Sequence, residues 1–89
     1  MKTQRRQTLK RSINMNEFMR ELRSIRADID FEHEDKLIES GILASFDIIQ
    51  IVMMMENVYE VKVPVTELKP SNFNSVAAMY AMVQRLEDE

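Results

Sequence analysis

The sequence predicts an all-α fold, a four-helix bundle of three main helices plus one short helix, with a long first loop. Only one glycine and two prolines occur among its 89 residues, which disfavours a turn-rich β fold. Apolar residues recur every three to four positions in three separate segments, which is the spacing of a buried helix face. A chain of this length has room for one domain with a modest core.

The first helix is predicted from about Met15 to about Arg26. Asn14 is a typical N-cap residue, and Glu17 follows it at the spacing of a capping box. The apolar residues of this segment form one stripe: Met15, Phe18, Met19, Leu22 and Ile25. This stripe predicts the face that packs into the core.

Residues 27–44 break that spacing and predict a long acidic loop. Six apolar residues are expected to anchor it to the core: Ile29, Phe31, Leu37, Ile38, Ile42 and Leu43. So long a loop in a small domain is usually functional or contains a helical turn. Gly41, the only glycine, is expected to adopt a backbone angle that other residues avoid, just before the next helix.

The second helix is predicted from about Ser45 to Tyr59 and carries two apolar stripes, although a globular helix needs only one. The core stripe is expected to contain Ile48, Ile51, Val52, Met55, Val58 and Tyr59. Phe46, Ile49 and Met53 lie on or beside the opposite, polar face. Two interpretations stay open: the acidic loop covers these three side chains, or they form a docking surface for partner proteins.

The last third of the chain predicts a short extended piece, a short helical turn and a final helix. Residues 60–65 resist helix formation because of their valines and proline. Residues 66–73 are expected to form the turn, with Thr66 as its cap and Pro70 limiting its length. The final helix is expected to begin with Asn74 as N-cap. Its predicted buried stripe is Val76, Met79, Val83 and Leu86.

Charge divides the chain into a basic flexible tail, residues 1–13, and an acidic domain, residues 14–89. Residues 1–14 hold five bases and no acid, whereas from Ala27 onward 4 bases face 13 acids, a formal charge of -9. An acidic body disfavours nucleic acid and favours partners with basic docking surfaces. The tail has no aromatic residue among its bases, so a solvated tail is favoured over a nucleic-acid arm. No apolar run approaches the ~20 residues of a membrane span, and a cytoplasmic location is expected.

The residue types leave little material for catalysis, and the sequence does not predict an enzyme. Cysteine is absent, which excludes thiolate metal sites and cysteine nucleophiles. The single histidine, His33, lies among acids, where a solvated loop is favoured over a metal site. Local chemistry favours Ser45 as an ordinary N-cap over a phosphate site at the helix start. No base accompanies this serine, so nucleophilic catalysis lacks its second member.

A glycine, two apolar residues and a serine lead from the acidic loop into the second helix, in the stretch LIESGILASFDIIQIV of residues 37–52. This pattern resembles the modification site of acyl carrier proteins and of their peptidyl and D-alanyl carrier relatives. The resemblance continues through residues 55–59, 63–68 and 72–79. It covers roughly residues 15–86, nearly the whole domain.

The resemblance implies a bundle of acyl-carrier type in which Ser45 receives 4'-phosphopantetheine from coenzyme A. A separate phosphopantetheinyl transferase attaches the group, and the thiol of the group then carries acyl or aminoacyl groups as thioesters. The implied partners also include an acyl- or aminoacyl-loading ligase and downstream acyl-transfer enzymes of fatty acid, polyketide or related biosynthesis.

In the resembled family the second helix is the main recognition helix. Residues at the family's contact positions are Phe46, Asp47, Ile49, Gln50, Met53 and Glu56. One departure concerns the residue before the serine, where the family has Asp and this chain has Ala44. The alternative hypothesis is therefore an unmodified acidic helical module that binds partners without a prosthetic group.

Overall fold

Residues 14–88, the part of the chain that the computed structural model describes, contain four α-helices and one 3-10 helix. The helices are α1, Met15–Ile25; α2, Ser45–Val58; the 3-10 helix, Val65–Glu67; α3, Pro70–Phe73; and α4, Val76–Glu87. Residues 14–88 contain no β-strand, which confirms the predicted all-α fold with its long first loop. The predicted flexible tail, residues 1–13, lies outside the described residues, and the domain boundary stays a prediction.

The core lies where α1 packs against α2 and α4, with α3 against α4. Its fully buried helical side chains are Phe18, Leu22, Ile51, Met55, Phe73, Met79, Met82 and Val83. The ring of Phe18 lies 5.9 Å from that of Tyr59 and 5.8 Å from that of Tyr80, measured between ring centroids. Each buried large apolar side chain contributes roughly 1.5–3 kcal/mol to the driving force for folding.

The first loop, residues 26–44, is anchored as the sequence predicts. Ile29, Phe31, Leu37 and Leu43 are buried, and Ile38 and Ile42 pack partly buried against the core. Gly41 has a φ of 82°, the left-handed backbone angle that a glycine adopts without steric cost. The loop therefore reaches the start of α2 along a path fixed by its own apolar residues.

Asn74 is not the N-cap of the last helix, which corrects the sequence prediction. Ser75 caps α4 by accepting a hydrogen bond from the N–H of Ala78 at 3.1 Å. The side-chain oxygen of Asn74 instead accepts from the N–H groups of Ile38 and Glu39, at 2.9 and 3.1 Å. The first loop uses the acceptor that a cap would need, so the helix begins one residue later.

The segment before α4 also differs from its prediction, because two short helices replace the single turn. Thr66 is not a cap, since it lies inside the 3-10 helix Val65–Glu67, whose N-cap position is Pro64. Pro70 does not limit a turn but begins α3, where its missing N–H costs no hydrogen bond.

Helix α2 also departs from its predicted core stripe. The sequence predicts Val58 in the core, but 40% of it is exposed, because it faces a groove between α1 and α2. Met54 and Met55 are buried, whereas the neighbouring Met53 is exposed.

None of the helices within residues 14–88 has the length and apolar character that crossing a bilayer requires.

Replacing Asn74 by alanine is expected to destabilise the fold by about 1–3 kcal/mol, because two loop N–H groups lose their acceptor. Urea denaturation followed by circular dichroism measures the loss. Asn16→Ala, at an exposed site in the first turn of α1, serves as the control and is expected to change stability by less than about 0.5 kcal/mol. Equal stability of the two variants would contradict the assigned role of Asn74.

Candidate functional site

Ser45 is the first residue of α2, and Ala44 before it holds the N-cap position in an extended conformation, φ -110° and ψ 179°. The interpretation of Ser45 as an ordinary N-cap is therefore wrong. Ser45 is exposed, and its hydroxyl makes no hydrogen bond within residues 14–88. The N–H groups of a first helical turn point outward and give this end a partial positive charge. The serine oxygen thus lies where a covalently attached anion is stabilised.

The N-cap residue of α2 has no side-chain acceptor, because it is alanine. The opposite half of the capping arrangement is present: Oδ2 of Asp47 accepts from the N–H of Ala44 at 3.0 Å. The first turn of α2 is therefore closed by Asp47 rather than by the residue before the serine.

Arg26, immediately after α1, joins this arrangement from 21 residues earlier in the chain. Its Nη1 donates to Oδ2 of Asp47 at 2.9 Å. Its Nε and Nη2 donate to the two carboxylate oxygens of Asp28, each at 2.9 Å. These bonds, first that to Asp28 and then that to Asp47, raise the pKa of Arg26 above its ordinary value. The same pairing lowers the pKa of Asp28 to about 2.

Two of the predicted contact residues use their carboxylates inside the molecule. Only 11% of the Asp47 side chain is exposed, beneath Arg26. Oε2 of Glu56 accepts from the N–H of Val63 at 3.1 Å, which ties α2 to the extended segment after it. Little of the Asp47 carboxylate is left for a partner to contact.

The second apolar stripe of α2 is open to solvent within residues 14–88. Phe46 is 68% exposed, and Ile49 and Met53 are each 55% exposed. The interpretation in which the acidic loop covers them is therefore wrong. They border a groove of about 550 Å³ between α1 and α2, which Gln50 also lines. The apolar lining residues are Ile25, Phe46, Ile49, Met53, Met54 and Val58.

The structure thus brings together Ser45 and four of the predicted contact residues, namely Phe46, Ile49, Gln50 and Met53, along one exposed side of α2. The assignment of these residues to partner binding stays a prediction. From the sequence, Arg26 is predicted only as the end of the first helix, and its contact with Asp47 is not predicted. The available signal was a base at a helix C-terminus followed two residues later by Asp28.

Comparison with known proteins finds similarity to D-alanyl carrier proteins. The D-alanyl carrier protein of Streptococcus uberis is 30% identical over 59 residues, which are 66% of this chain and 73% of that protein. The D-alanyl carrier protein of Lactobacillus delbrueckii subsp. bulgaricus is 27% identical over 62 residues, 70% of this chain and 78% of that protein. No family model matches the chain.

The chain belongs to the phosphopantetheine-type carrier protein family. Membership confirms the family that the residues around Ser45 suggest. It supports a carrier role for this protein, and it implies a carrier that is not itself a catalyst.

His33 lies apart from this site, in the exposed part of the first loop of the carrier protein. Its Nδ1 lies 2.9 Å from Oδ2 of Asp30, and this hydrogen bond raises the pKa of His33 above its ordinary 6.5. Ligand atoms of Asp30, Glu32 and His33 lie within 4.8 Å of one another, and all three residues are exposed. His33 therefore lies in an exposed part of the loop, and the absence of a metal site there stays a prediction.

Replacing Ala44 by aspartate or by serine is expected to stabilise the carrier protein by about 1 kcal/mol, because either residue supplies the missing N-cap acceptor. Urea denaturation measures the gain. Serine caps without adding charge, so equal gains from both variants attribute the effect to capping. A stability equal to that of the wild type in both variants would contradict the assigned geometry of the first turn.

Asp30→Asn is expected to lower the pKa of His33 towards 6.5, because the charged acceptor of its Nδ1 is lost. A titration of the His33 ring followed by NMR measures the change, with Asp35→Asn as a control. Because folding raises the pKa, this pair stabilises the fold below pH 6.5, and its contribution disappears as pH rises through the folded pKa. An unchanged pKa in Asp30→Asn would exclude this hydrogen bond.

Proposed function

We propose that this carrier protein bears 4'-phosphopantetheine on Ser45 and presents acyl or aminoacyl groups, held as thioesters, to partner enzymes. The observation that carries the proposal is the exposed Ser45 hydroxyl at the first residue of α2, in a member of a carrier family. An alternative function as an unmodified interaction module is not favoured, because the relatives are named carriers.

The residues around Ser45 fit such a group. The hydroxyl is exposed and makes no hydrogen bond within the described part of the chain, so esterification displaces no internal contact. The first-turn N–H groups and the helix dipole favour a phosphate at this end. The group supplies a thiol for thioester formation, which matters in a chain that has no cysteine.

The attachment itself requires a partner enzyme, because within residues 14–88 no histidine lies beside Ser45 to act as its base. The only histidine of the chain, His33, hydrogen-bonds to Asp30 in the first loop rather than to the serine. A base is needed to take the serine proton when its oxygen forms a bond to phosphorus. We therefore propose a phosphopantetheinyl transferase as the first partner, with coenzyme A as the donor.

The relatives also direct the choice of cargo. Because they are named D-alanyl carrier proteins, a D-alanyl group is the first candidate, ahead of acyl groups of fatty acid or polyketide pathways. The further partners are then an aminoacyl- or acyl-loading ligase and the enzyme that removes the cargo. The exposed side chains of Phe46, Ile49 and Met53, with Gln50, form the proposed docking surface. The cytoplasmic location stays a prediction.

Incubation with coenzyme A and a broad-specificity phosphopantetheinyl transferase is expected to add one phosphopantetheinyl group per chain, as measured by intact-protein mass spectrometry. The added mass is expected on the peptide that contains Ser45. Ser45→Ala is expected to abolish the gain, whereas Ser40→Ala, in the loop just before, leaves it unchanged.

Two outcomes contradict this proposal. One is a mass gain that survives Ser45→Ala, because the group is then attached elsewhere. The other is no gain in the wild type or in Ala44→Asp, which restores the family's carboxylate before the serine. The second outcome together with stable binding of a partner favours the unmodified module.

A further inference from the structure

Both carboxylates of α2 accept hydrogen bonds within the molecule, although the chain from Ala27 onward is strongly acidic. These two acids, Asp47 and Glu56, are the only ones in the helix. Among the described residues that line the groove between α1 and α2, the one charged side chain is Glu21, from α1. The rest are apolar or uncharged, so the groove beside α2 offers mainly uncharged contact area.

Arg26 binds the carboxylate of Asp47 and so keeps its charge from the surface of α2. Its single guanidinium donates a hydrogen bond from Nη1 to Asp47, and from Nε and Nη2 to the two carboxylate oxygens of Asp28. Three simultaneous bonds in these directions require the planar, five-donor head group of arginine, and a lysine ammonium cannot reproduce them. Asp47 in turn closes the first turn of α2 through the N–H of Ala44.

We propose that Arg26 is a positioning and specificity-determining residue of the Ser45 site. It fixes the first turn of α2 through Asp47, and it withholds the Asp47 carboxylate from basic partners. A partner that attaches a group at Ser45 therefore docks on α2 by apolar contact, in place of the basic docking surface that the net charge predicts. This inference rests on the proposed function, because it concerns the enzyme that modifies Ser45.

The partner that fits this surface presents apolar side chains to Phe46, Ile49 and Met53. Attraction between exposed charges is screened by salt, whereas apolar contact is not. The ionic-strength dependence of loading therefore distinguishes the two kinds of docking. It is also a quantity that a purely structural role of Arg26 would leave unchanged.

The experiment measures kcat/KM for phosphopantetheine transfer to the full chain by a broad-specificity transferase, between about 0.01 M and about 1 M salt, where the Debye length falls from roughly 30 Å to roughly 3 Å. For the wild type we expect a change of less than about threefold. For Arg26→Ala we expect a value about tenfold lower at high salt, because the turn is no longer fixed. We also expect a steep salt dependence, because Asp47 is released to attract the enzyme.

Matched variants separate the charge from the geometry. Arg23→Ala removes one positive charge from α1, three residues before Arg26, without touching Asp47, and it is expected to behave as the wild type. Arg26→Ala combined with Asp47→Asn is expected to load slowly at every salt concentration but without the steep dependence. Arg26→Lys keeps the positive charge but loses the planar guanidinium, and a kcat/KM between those of the wild type and Arg26→Ala is expected.

A fall of tenfold or more in the wild-type value with salt would overturn the inference, because docking is then electrostatic. Identical behaviour of Arg26→Ala and Arg23→Ala would overturn it as well. Hydrogen exchange at the Ala44 amide provides a readout that does not need loading: it is expected to quicken at least about threefold in Arg26→Ala but not in Arg23→Ala. Failure of every variant to load, with that quickening present, refutes the proposed function while leaving the positioning role of Arg26 supported.

Discussion

A single carboxylate, that of Asp47, holds together the part of the molecule on which the proposed function depends. It receives the N–H of Ala44 from the end of the first loop and a guanidinium N–H from Arg26 at the end of α1. Three segments thereby meet at the first turn of α2, directly beside Ser45. Because Ala44 provides no side-chain cap, this contact and the 3.1 Å hydrogen bond from the N–H of Ile48 to the carbonyl of Ala44 fix the turn that carries the exposed serine.

The first loop matters for the same reason. Its buried apolar residues and the acceptor provided by Asn74 fix its path over the core. At its end, Gly41 takes the left-handed backbone angle that lets the chain turn into α2. The loop is therefore part of the scaffold of the site, and its acidic residues remain at the surface.

Much of this architecture is predictable from sequence because it depends on local patterns. The spacing of Phe18 and Leu22 predicts the buried face of α1, and Asn14 predicts its start, where its side chain accepts from the N–H of Glu17 at 2.9 Å. The second stripe on α2 was visible as an excess of apolar residues, but the sequence left open whether the loop covers it. Periodicity predicts which residues share a helix face, but it does not predict which faces pack against another part of the chain.

The contacts that escaped prediction are side-chain pairings between distant segments. Nothing in the pattern around Arg26 names Asp47 as its partner, since 21 residues separate them and no periodicity links them. Asn74 was misassigned for a similar reason: its local context suits an N-cap, but loop N–H groups 35 and 36 residues earlier take its oxygen. Local propensity identifies Asn74 as a good hydrogen-bond acceptor, but the packing of the first loop determines which N–H groups it binds.

The Ser45 hydroxyl is proposed to serve as an attachment point rather than as a structural group. The most direct measurement is the intact mass of the protein purified from its own source, followed by mapping of the peptide that contains Ser45. We expect a mass above that of the chain by at least one phosphopantetheinyl group, located on that serine. Native protein that carries nothing on Ser45 in any fraction would contradict it.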